Sequence, residues 1–125
     1  MTENEISYII RGAIFEVYNT LGPGLLESVY VAALVYELEK AGLSAKTEVP
    51  VHVIYKDQKL DLGFRIDILV NNSVLIEVKS IELLAKVHHK IVGTYLVLSK
   101  IKLGILVNFN TADISESIHR KVNGL

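Results

Sequence analysis

The sequence predicts an α/β fold in which helices pack on a mixed sheet, in the order ααβββαβ followed by a tail. Three observations predict it. Apolar residues recur at helical spacing near the N-terminus and after residue 80. They alternate with polar residues over about residues 46–80, and they form a nearly unbroken run at Leu103–Phe109. Helices and strands of these kinds bury their apolar faces by packing on one another.

The N-terminal third predicts two helices separated by a glycine-proline break. Apolar side chains repeat at helical spacing across Glu3–Leu21 and again across Leu26–Ala41. Gly22-Pro23-Gly24 interrupts the first pattern, and Gly42 ends the second, because glycine favours the conformation that follows a helix. Each helix is therefore expected to bury one face against the rest of the chain.

The middle of the chain predicts three antiparallel strands joined by turns at Lys56-Asp57-Gln58 and Asn71-Asn72-Ser73. The length of the second turn decides which side chains share a face. A two-residue turn would pair Asp67 with Ile76 and place Glu77 on the opposite face. A three-residue turn pairs Asp67 with Glu77 directly. We expect the three-residue turn, because it is common and suits asparagine in the left-handed region.

The last third predicts a helix, a buried strand and a tail. The helix covers about Glu82–Leu98, and its expected buried stripe is Leu84, Val87 with His88, Ile91, Tyr95 and Leu98. The apolar run Leu103–Phe109 predicts a strand buried on both sides. The tail, Ser115–Val122, is either an edge strand or a short helix, and its apolar spacing favours the helix.

Composition excludes several classes of protein. The chain has no cysteine, which excludes disulfide scaffolds, thiolate metal sites and cysteine nucleophiles, and fits a cytoplasmic protein. Its longest apolar run, Val29–Tyr36, is too short to span a bilayer, and its acidic N-terminus does not resemble a signal peptide. With no repeats or linkers, residues 1–125 are expected to form one domain without membrane association.

Charge is distributed unevenly along the chain, although the net charge is only −1. Residues 1–75 carry 6 Lys/Arg against 10 Asp/Glu, whereas residues 76–125 carry 7 against 4. A polyanionic partner such as DNA or RNA is therefore expected to contact the C-terminal half.

Asp67, Glu77 and Lys79 form the pattern that best indicates chemistry. Glu77 and Lys79 are two residues apart in one strand and therefore point to the same face. Two carboxylates held close together repel unless a proton or a cation lies between them, and Mg²⁺ or Mn²⁺ prefers such oxygen ligands. A lysine beside the cation could position a water to hydrolyse a phosphodiester. The alternative is a row of solvated charges on an exposed strand face.

Glu27 is a further candidate, because its position in the second helix is on the same side as Tyr30 and Leu34. A lone carboxylate is costly to bury, so there it would need a partner or a ligand. The alternative is an acid in the first helical turn, where the helix dipole favours it.

These residues resemble a known family. Gly24–Tyr30 has the form G-x-x-E-x-x-Y, and the resemblance continues through Arg65-Ile66-Asp67, Glu77-Val78-Lys79, Tyr95-Leu96 and Leu103–Phe109. The chain resembles the GxxExxY proteins, which look like a branch of the PD-(D/E)XK nuclease-like superfamily. The resemblance implies a restriction-endonuclease-like core.

The resemblance also implies roles for particular residues. Glu27 matches the helix acid that completes the metal site, Asp67 and Glu77 match the two strand carboxylates, and Lys79 matches the lysine that positions the water. The Val78 carbonyl is expected as a further ligand to Mg²⁺ or Mn²⁺. The leading hypothesis is therefore a metal-dependent nuclease, a hydrolase of DNA or RNA phosphodiesters.

One position departs from the family pattern. Relatives often carry glutamine four residues before the tyrosine of the third helix, where this chain has Ile91 before Tyr95. Isoleucine cannot hydrogen-bond a phosphate or a water. His88 could substitute for it in part, although a half-buried helix histidine is the simpler interpretation, and His89 is expected to face solvent. This departure motivates a second hypothesis, a catalytically impaired module that binds nucleic acid or a protein partner.

Three other features have structural interpretations. Tyr30 and Tyr95 are expected to be supporting core residues with satisfied hydroxyls, and Arg65 is expected to form an ion pair.

A third hypothesis about the whole chain is a homodimer that uses the apolar first helix.

Overall fold

The structure is a computed structural model that describes all 125 residues, with three α-helices, one 3-10 turn and five strands. In chain order the elements are α1 Glu3–Leu21, α2 Glu27–Lys40, β1 Ala45–Tyr55, β2 Gln58–Val70, β3 Val74–Lys79, α3 Lys86–Ser99, β4 Leu103–Asn108, the 3-10 turn Ile114–Glu116 and β5 Ile118–Val122. The predicted α/β class and element order are confirmed. No helix has both the length and the apolar character needed to cross a membrane.

The five strands form one mixed sheet in the order β1-β2-β3-β4-β5. Strands β3 and β4 are parallel, and the other neighbouring pairs are antiparallel. The parallel pair follows from the chain path, because α3 carries the chain from one end of β3 back to the start of β4.

Two apolar cores lie on opposite faces of this sheet. The larger core, here called the α1/α2 core, contains the buried residues of those helices and the β3 side chains Val74, Ile76 and Val78. The smaller core, the α3 core, contains Leu75 of β3 and buried residues of α3 and β4. All six residues of β4 are buried, as the unbroken apolar run predicts.

Helices α1 and α2 follow their predicted patterns. Thr2 caps α1 by accepting the backbone N–H of Glu5, and the apolar stripe of α1 is buried. Tyr30, Leu34 and Leu38 are the buried stripe of α2. Gly42 has φ of 89° after α2, which is the left-handed conformation that glycine adopts without strain.

Helix α3 differs from its prediction in start and in orientation. It begins at Lys86 rather than near Glu82, and its buried residues are Val92 and Leu96, whereas Val87, Ile91 and Leu98 of the predicted stripe are exposed. Apolar residues occur on several sides of α3, so their spacing alone did not select the buried side. The side that packs is the one that contacts Gly104 of β4. The absence of a side chain there leaves room for α3, since a Cβ at this position would lie only 3.1–3.2 Å from the side chains of Val92 and Leu96.

The tail is an edge strand, one of its two predicted forms, rather than the helix that its apolar spacing favours. Residues Ile118–Val122 pair with β4, and only Ile114–Glu116 forms a 3-10 turn. The sheet explains this outcome, because without β5 the buried strand β4 would leave one edge of backbone groups unpaired.

The two turns of the middle region differ from each other in length. The three-residue turn Asn71-Asn72-Ser73 is confirmed, and both asparagines have positive φ, 51° and 53°. The first turn is shorter than predicted. It consists of Lys56 and Asp57, both with positive φ, and Gln58 already belongs to β2. Two successive positive φ values are typical of the two-residue hairpin turn whose twist matches that of the strands it joins.

We expect Gly63→Ala to destabilise the protein, because a Cβ at Gly63 would lie 1.9 Å from the carbonyl oxygen of Val51. The neighbouring strand would have to move, at a cost of about 2 kcal/mol or more in the free energy of unfolding. Urea denaturation measures this change. Gly12→Ala in α1 is the matched control, because a Cβ there meets nothing within 4 Å. The control should gain about 0.5–1 kcal/mol from helix propensity, and equal effects of the two substitutions would contradict the argument.

Candidate active site

The β1–β2 ribbon changes face next to the first candidate residue. Ile66 packs in the α3 core, but Ile68, two residues later, packs in the α1/α2 core. Alternate residues of a regular strand share one face, so β2 turns over between them. On β1, Glu48 stands opposite this point with φ of 50°. Asp67 therefore lies at the boundary between the two cores.

Asp67 and Glu77 are brought together by the three-residue turn. The ladder of β2 and β3 pairs Ile68 with Ile76, and Asp67 and Glu77 are the next residues along the two strands. The Asp67 carboxylate accepts the backbone N–H of Val78 at 2.8 Å. The register that places the two acids side by side is thus the one expected from the sequence.

Among the acidic side chains, Glu77 has the pKa that departs furthest from its ordinary value. Its residue is 7% exposed, and its Oε1 atom is buried without a hydrogen-bond partner. Burial and then the charge of Asp67 raise the pKa of Glu77 to about 8, and the ammonium of Lys79 opposes them in part. The Lys79 Nζ atom lies 3.7 Å from Glu77 Oε2. The Glu77 carboxyl therefore favours a proton, or another cation, at neutral pH.

Glu27 reaches the same end of β3 from α2. Its Oε2 atom accepts the backbone N–H of Ser80 at 3.2 Å, and its charge also raises the pKa of Glu77. The residue itself is exposed rather than turned toward the core. The physical reason is that α2 begins at Glu27, so this first residue lies at the rim of the sheet while Tyr30 is already buried.

Two residues that the sequence reasoning missed hold this region in place. The Ser80 hydroxyl donates to the carbonyl of Leu25 at 2.5 Å, which ties the end of β3 to the start of α2. Asn108 is 4% exposed, and its side-chain amide exchanges two hydrogen bonds with the backbone of Ile81. A single polar residue at the end of the apolar run 103–109 is the signal that could have revealed Asn108.

A cleft of about 550 Å³ lies between α2 and the β1–β2 ribbon. Glu27, Glu48 and Asp67 supply its acidic side, and α2 supplies an apolar wall. Glu77 and Lys79 do not line this cleft. The Asp67–Val78 hydrogen bond links the cleft to the two β3 residues.

Tyr30 is a buried core residue with a satisfied hydroxyl, as predicted, whereas Tyr95 is half-buried and its hydroxyl makes no hydrogen bond. The Tyr30 ring stacks on Phe109 with centroids 4.2 Å apart, and its hydroxyl donates to Gly22 and accepts from Leu25. The Tyr95 ring stacks on Phe64. Burial raises the pKa of the Tyr95 hydroxyl, and the nearby charges of Glu77 and Asp67 raise it further.

The arginine and the histidines have the following places. Arg65 pairs with Glu48 at 3.9 Å on an exposed surface, as the ion-pair interpretation predicts. His88 is half-buried, and its Nδ1 atom accepts the N–H of Ala85 at the start of α3. The prediction that His89 faces solvent is wrong. The residue is half-buried, and its ring contacts His119 edge to face at 4.8 Å.

The chemistry of these residues fits a divalent cation. No three His, Asp or Glu side chains are already gathered closely enough to hold a metal ion. However, the unpartnered Oε1 of Glu77 and the mutual repulsion of Glu77, Asp67 and Glu27 are what a cation would relieve.

A family model described as the PD-(D/E)XK nuclease superfamily matches residues 4–121. The chain belongs to this superfamily. Comparison with curated proteins found no match, and comparison with solved structures found none. The mixed sheet with three helices is consistent with the restriction-endonuclease-like fold of PD-(D/E)XK proteins. Membership supports a nuclease-like function in general and makes a divalent metal the expected cofactor class.

We expect Glu77→Gln to stabilise the metal-free protein in a pH-dependent way. The pKa of Glu77 is about 8 in the folded chain against its usual 4.5, so the folded state holds the proton more tightly. The stability that this proton contributes is complete below pH 4.5 and is lost as pH rises through 8. Glutamine does not titrate. The variant should match the parent at low pH and exceed it at pH 8–9 by several kcal/mol, since each unit of pKa difference between the folded and unfolded states corresponds to about 1.4 kcal/mol.

Urea denaturation at several pH values, in the presence of a chelator, measures this difference. Glu116→Gln is the control, because that glutamate is exposed. A difference between Glu77→Gln and the parent that does not grow with pH would contradict the interpretation of Glu77.

Proposed function

We propose that this protein is a Mg²⁺- or Mn²⁺-dependent nuclease that hydrolyses phosphodiester bonds of DNA or RNA, and that it is a GxxExxY member of its superfamily. One observation carries the proposal: Glu77 holds a buried carboxylate oxygen without a partner, beside two further carboxylates and a lysine. Such a group weakens a fold unless a ligand uses it. A cation that also contacts a substrate phosphate would supply the missing partner of this oxygen.

We assign the cation to Glu27, Asp67, Glu77 and the carbonyl of Val78. The three side chains are hard oxygen donors of the kind that Mg²⁺ and Mn²⁺ prefer. Two are already oriented by backbone N–H groups, Asp67 by Val78 and Glu27 by Ser80. When bound, the cation would stabilise negative charge on the phosphate as a Lewis acid.

Lys79 would position the attacking water and stabilise charge that develops on the phosphate. Its ammonium lies 3.7 Å from Glu77 Oε2, and its side chain is 27% exposed, so it is both held and accessible. A preorganised cation in a partly water-excluded site stabilises such charge more strongly than one in bulk water. Glu77 would be the acid that fixes the direction of the Lys79 ammonium.

The proposal extends to the whole chain. We propose that residues 1–125 act as one cytoplasmic domain, since the chain has no cysteine and needs no oxidising compartment. The nucleic acid would contact the C-terminal half, where Lys86, Lys90 and Lys102 are exposed and the charge balance is positive.

A second candidate function is a catalytically impaired module that binds nucleic acid or a protein partner. The observation that favours it is Ile91, which stands in place of the glutamine of relatives and is 37% exposed on α3. An apolar side chain there offers no hydrogen bond to a phosphate or to a water. This candidate predicts that no nucleic acid is turned over and that Lys79→Ala has no effect on partner binding.

We expect the parent to bind Mn²⁺ or Mg²⁺ saturably and Asp67→Ala not to bind it. The variant loses one of the assigned carboxylate ligands, the one that the backbone N–H of Val78 orients. Titration calorimetry measures the binding, and a rise in melting temperature with added metal provides an independent measurement. Asp113→Ala is the control, because this acid lies in the turn before β5. Equal binding by the parent and Asp67→Ala would exclude the assigned ligands.

We expect Lys79→Ala to retain metal binding while losing about 100-fold or more of the cleavage rate, since its ammonium acts on the water and the phosphate. Cleavage of labelled single- and double-stranded DNA and RNA by the parent, the variant and Lys40→Ala measures this effect. Lys40→Ala changes an exposed lysine at the end of α2 and should cleave at the parental rate. Turnover by Lys79→Ala at the parental rate would refute the catalytic role, and no turnover by the parent would favour the second candidate.

A further inference from the structure

Helix α2 begins at Glu27 without a side-chain cap of its own. The residue before it, Leu26, makes no side-chain hydrogen bond to the first turn, although serine, threonine, asparagine or aspartate usually does so from this position. Glu27 is also exposed, and a glutamate side chain loses conformational entropy when it is held in one orientation. A fixed position of its carboxylate therefore depends on contacts with other parts of the chain.

Ser80, which directly follows β3, makes two such contacts. Its backbone N–H donates to Glu27 Oε2 at 3.2 Å, and its hydroxyl donates to the carbonyl of Leu25 at 2.5 Å. The first contact orients the Glu27 side chain. The second fixes the backbone just before the residue from which that side chain projects. One residue at the end of the strand thus holds both the carboxylate and the start of α2.

The residues on either side of Ser80 are bound to the end of β4. The carbonyl of Lys79 accepts the backbone N–H of Phe109 at 2.9 Å. The side-chain amide of Asn108 accepts the N–H of Ile81 at 3.1 Å and donates to the Ile81 carbonyl at 2.9 Å. Ser80 is therefore held in place by the sheet, and its own N–H and hydroxyl are free to bind α2.

The Tyr30 hydroxyl holds the same segment from within α2. It accepts the N–H of Leu25 at 3.1 Å and donates to the carbonyl of Gly22 at 2.6 Å. Leu25 is thus bound through its N–H by Tyr30 and through its carbonyl by Ser80. Tyr30 is fully buried, whereas Ser80 is half-buried at the rim of the site. The Ser80 contact can therefore be removed without opening the core.

We infer that Ser80 is a positioning residue, which holds Glu27 in the orientation that the assigned cation needs. This inference rests on the proposed function, in which Glu27 is the one assigned ligand that a helix supplies. Asp67 and Glu77 are fixed by the strands that contain them, whereas Glu27 depends on Ser80. Groups that orient a metal ligand typically contribute about 10- to 100-fold to metal affinity.

Titration calorimetry with Mn²⁺ on the parent, Ser80→Ala, Ser80→Thr and Ser99→Ala tests this inference. Ser80→Ala removes the hydroxyl, and its dissociation constant should rise about tenfold. Ser80→Thr keeps a hydroxyl and should bind Mn²⁺ as the parent does. Ser99→Ala is the matched control: Ser99 is also half-buried, and its hydroxyl donates to a backbone carbonyl, that of Tyr95, at 2.6 Å near the C-terminal end of α3. It should bind with parental affinity.

The outcomes separate this inference from the proposed function. Equal Mn²⁺ affinity of the parent and Ser80→Ala would overturn the inference and leave the proposed function in place. A loss of affinity that Ser80→Thr does not restore, or that Ser99→Ala shares, would overturn the inference as well. A parent that binds no Mn²⁺ would overturn the proposed function and this inference with it.

Amide hydrogen exchange of the metal-free protein supplies a second measurement that does not depend on the cation. Glu27 accepts the N–H of residue 80, so the protection of that N–H from exchange reports how firmly the carboxylate is held. Its protection factor should fall about fivefold in Ser80→Ala, as expected for the loss of one hydrogen bond, and return in Ser80→Thr. An unchanged protection factor in Ser80→Ala would overturn the inference.

Discussion

Strands β1 and β2 contribute side chains to both cores, because the ribbon that they form turns over at Asp67. Ala45 and Ile68 pack with α1 and α2, whereas Val49 and Ile66 pack with α3. A side chain at the crossing point belongs to neither core, so a carboxylate can lie there without complete burial. The left-handed conformation of Glu48 allows the partner strand to follow the same turn. The position of the candidate site therefore follows from how the sheet is shared between its two layers.

Electrostatic repulsion at this point is tolerated because β3 is held from every side. β2 and β4 pair with it, one core covers each face, and Ser80 and Asn108 fix the chain that leaves it. Glu77 sits on this strand with an unpartnered oxygen. A mobile loop would move such a group out to water, but a central strand cannot. The rigidity of β3 thus preserves an arrangement that is locally unfavourable and suited to a ligand.

The sequence allowed the local elements to be predicted and left the tertiary choices open. Helices α1 and α2 were predictable because each has one apolar face and a clear stop. The side on which α3 packs could not be predicted, because it depends on Gly104 of a distant strand. The form of the tail depends on the unpaired edge of β4. Spacing and family resemblance single out Asp67, Glu77 and Lys79 as candidates and predict the register that brings the two acids together, whereas Ser80 and Asn108 act through contacts that spacing does not reveal.

The turn Asn71-Asn72-Ser73 has a consequence for how the chain can change in length. Its three residues place Asp67 beside Glu77, and one residue more or fewer would turn every later side chain of β3 to the other face. Such an insertion or deletion would separate the two acids and expose an apolar stripe at once. The turn Lys56-Asp57 joins two strands whose ends reach no core. Length variants are therefore expected to be tolerated at the Lys56-Asp57 turn and eliminated at the second turn.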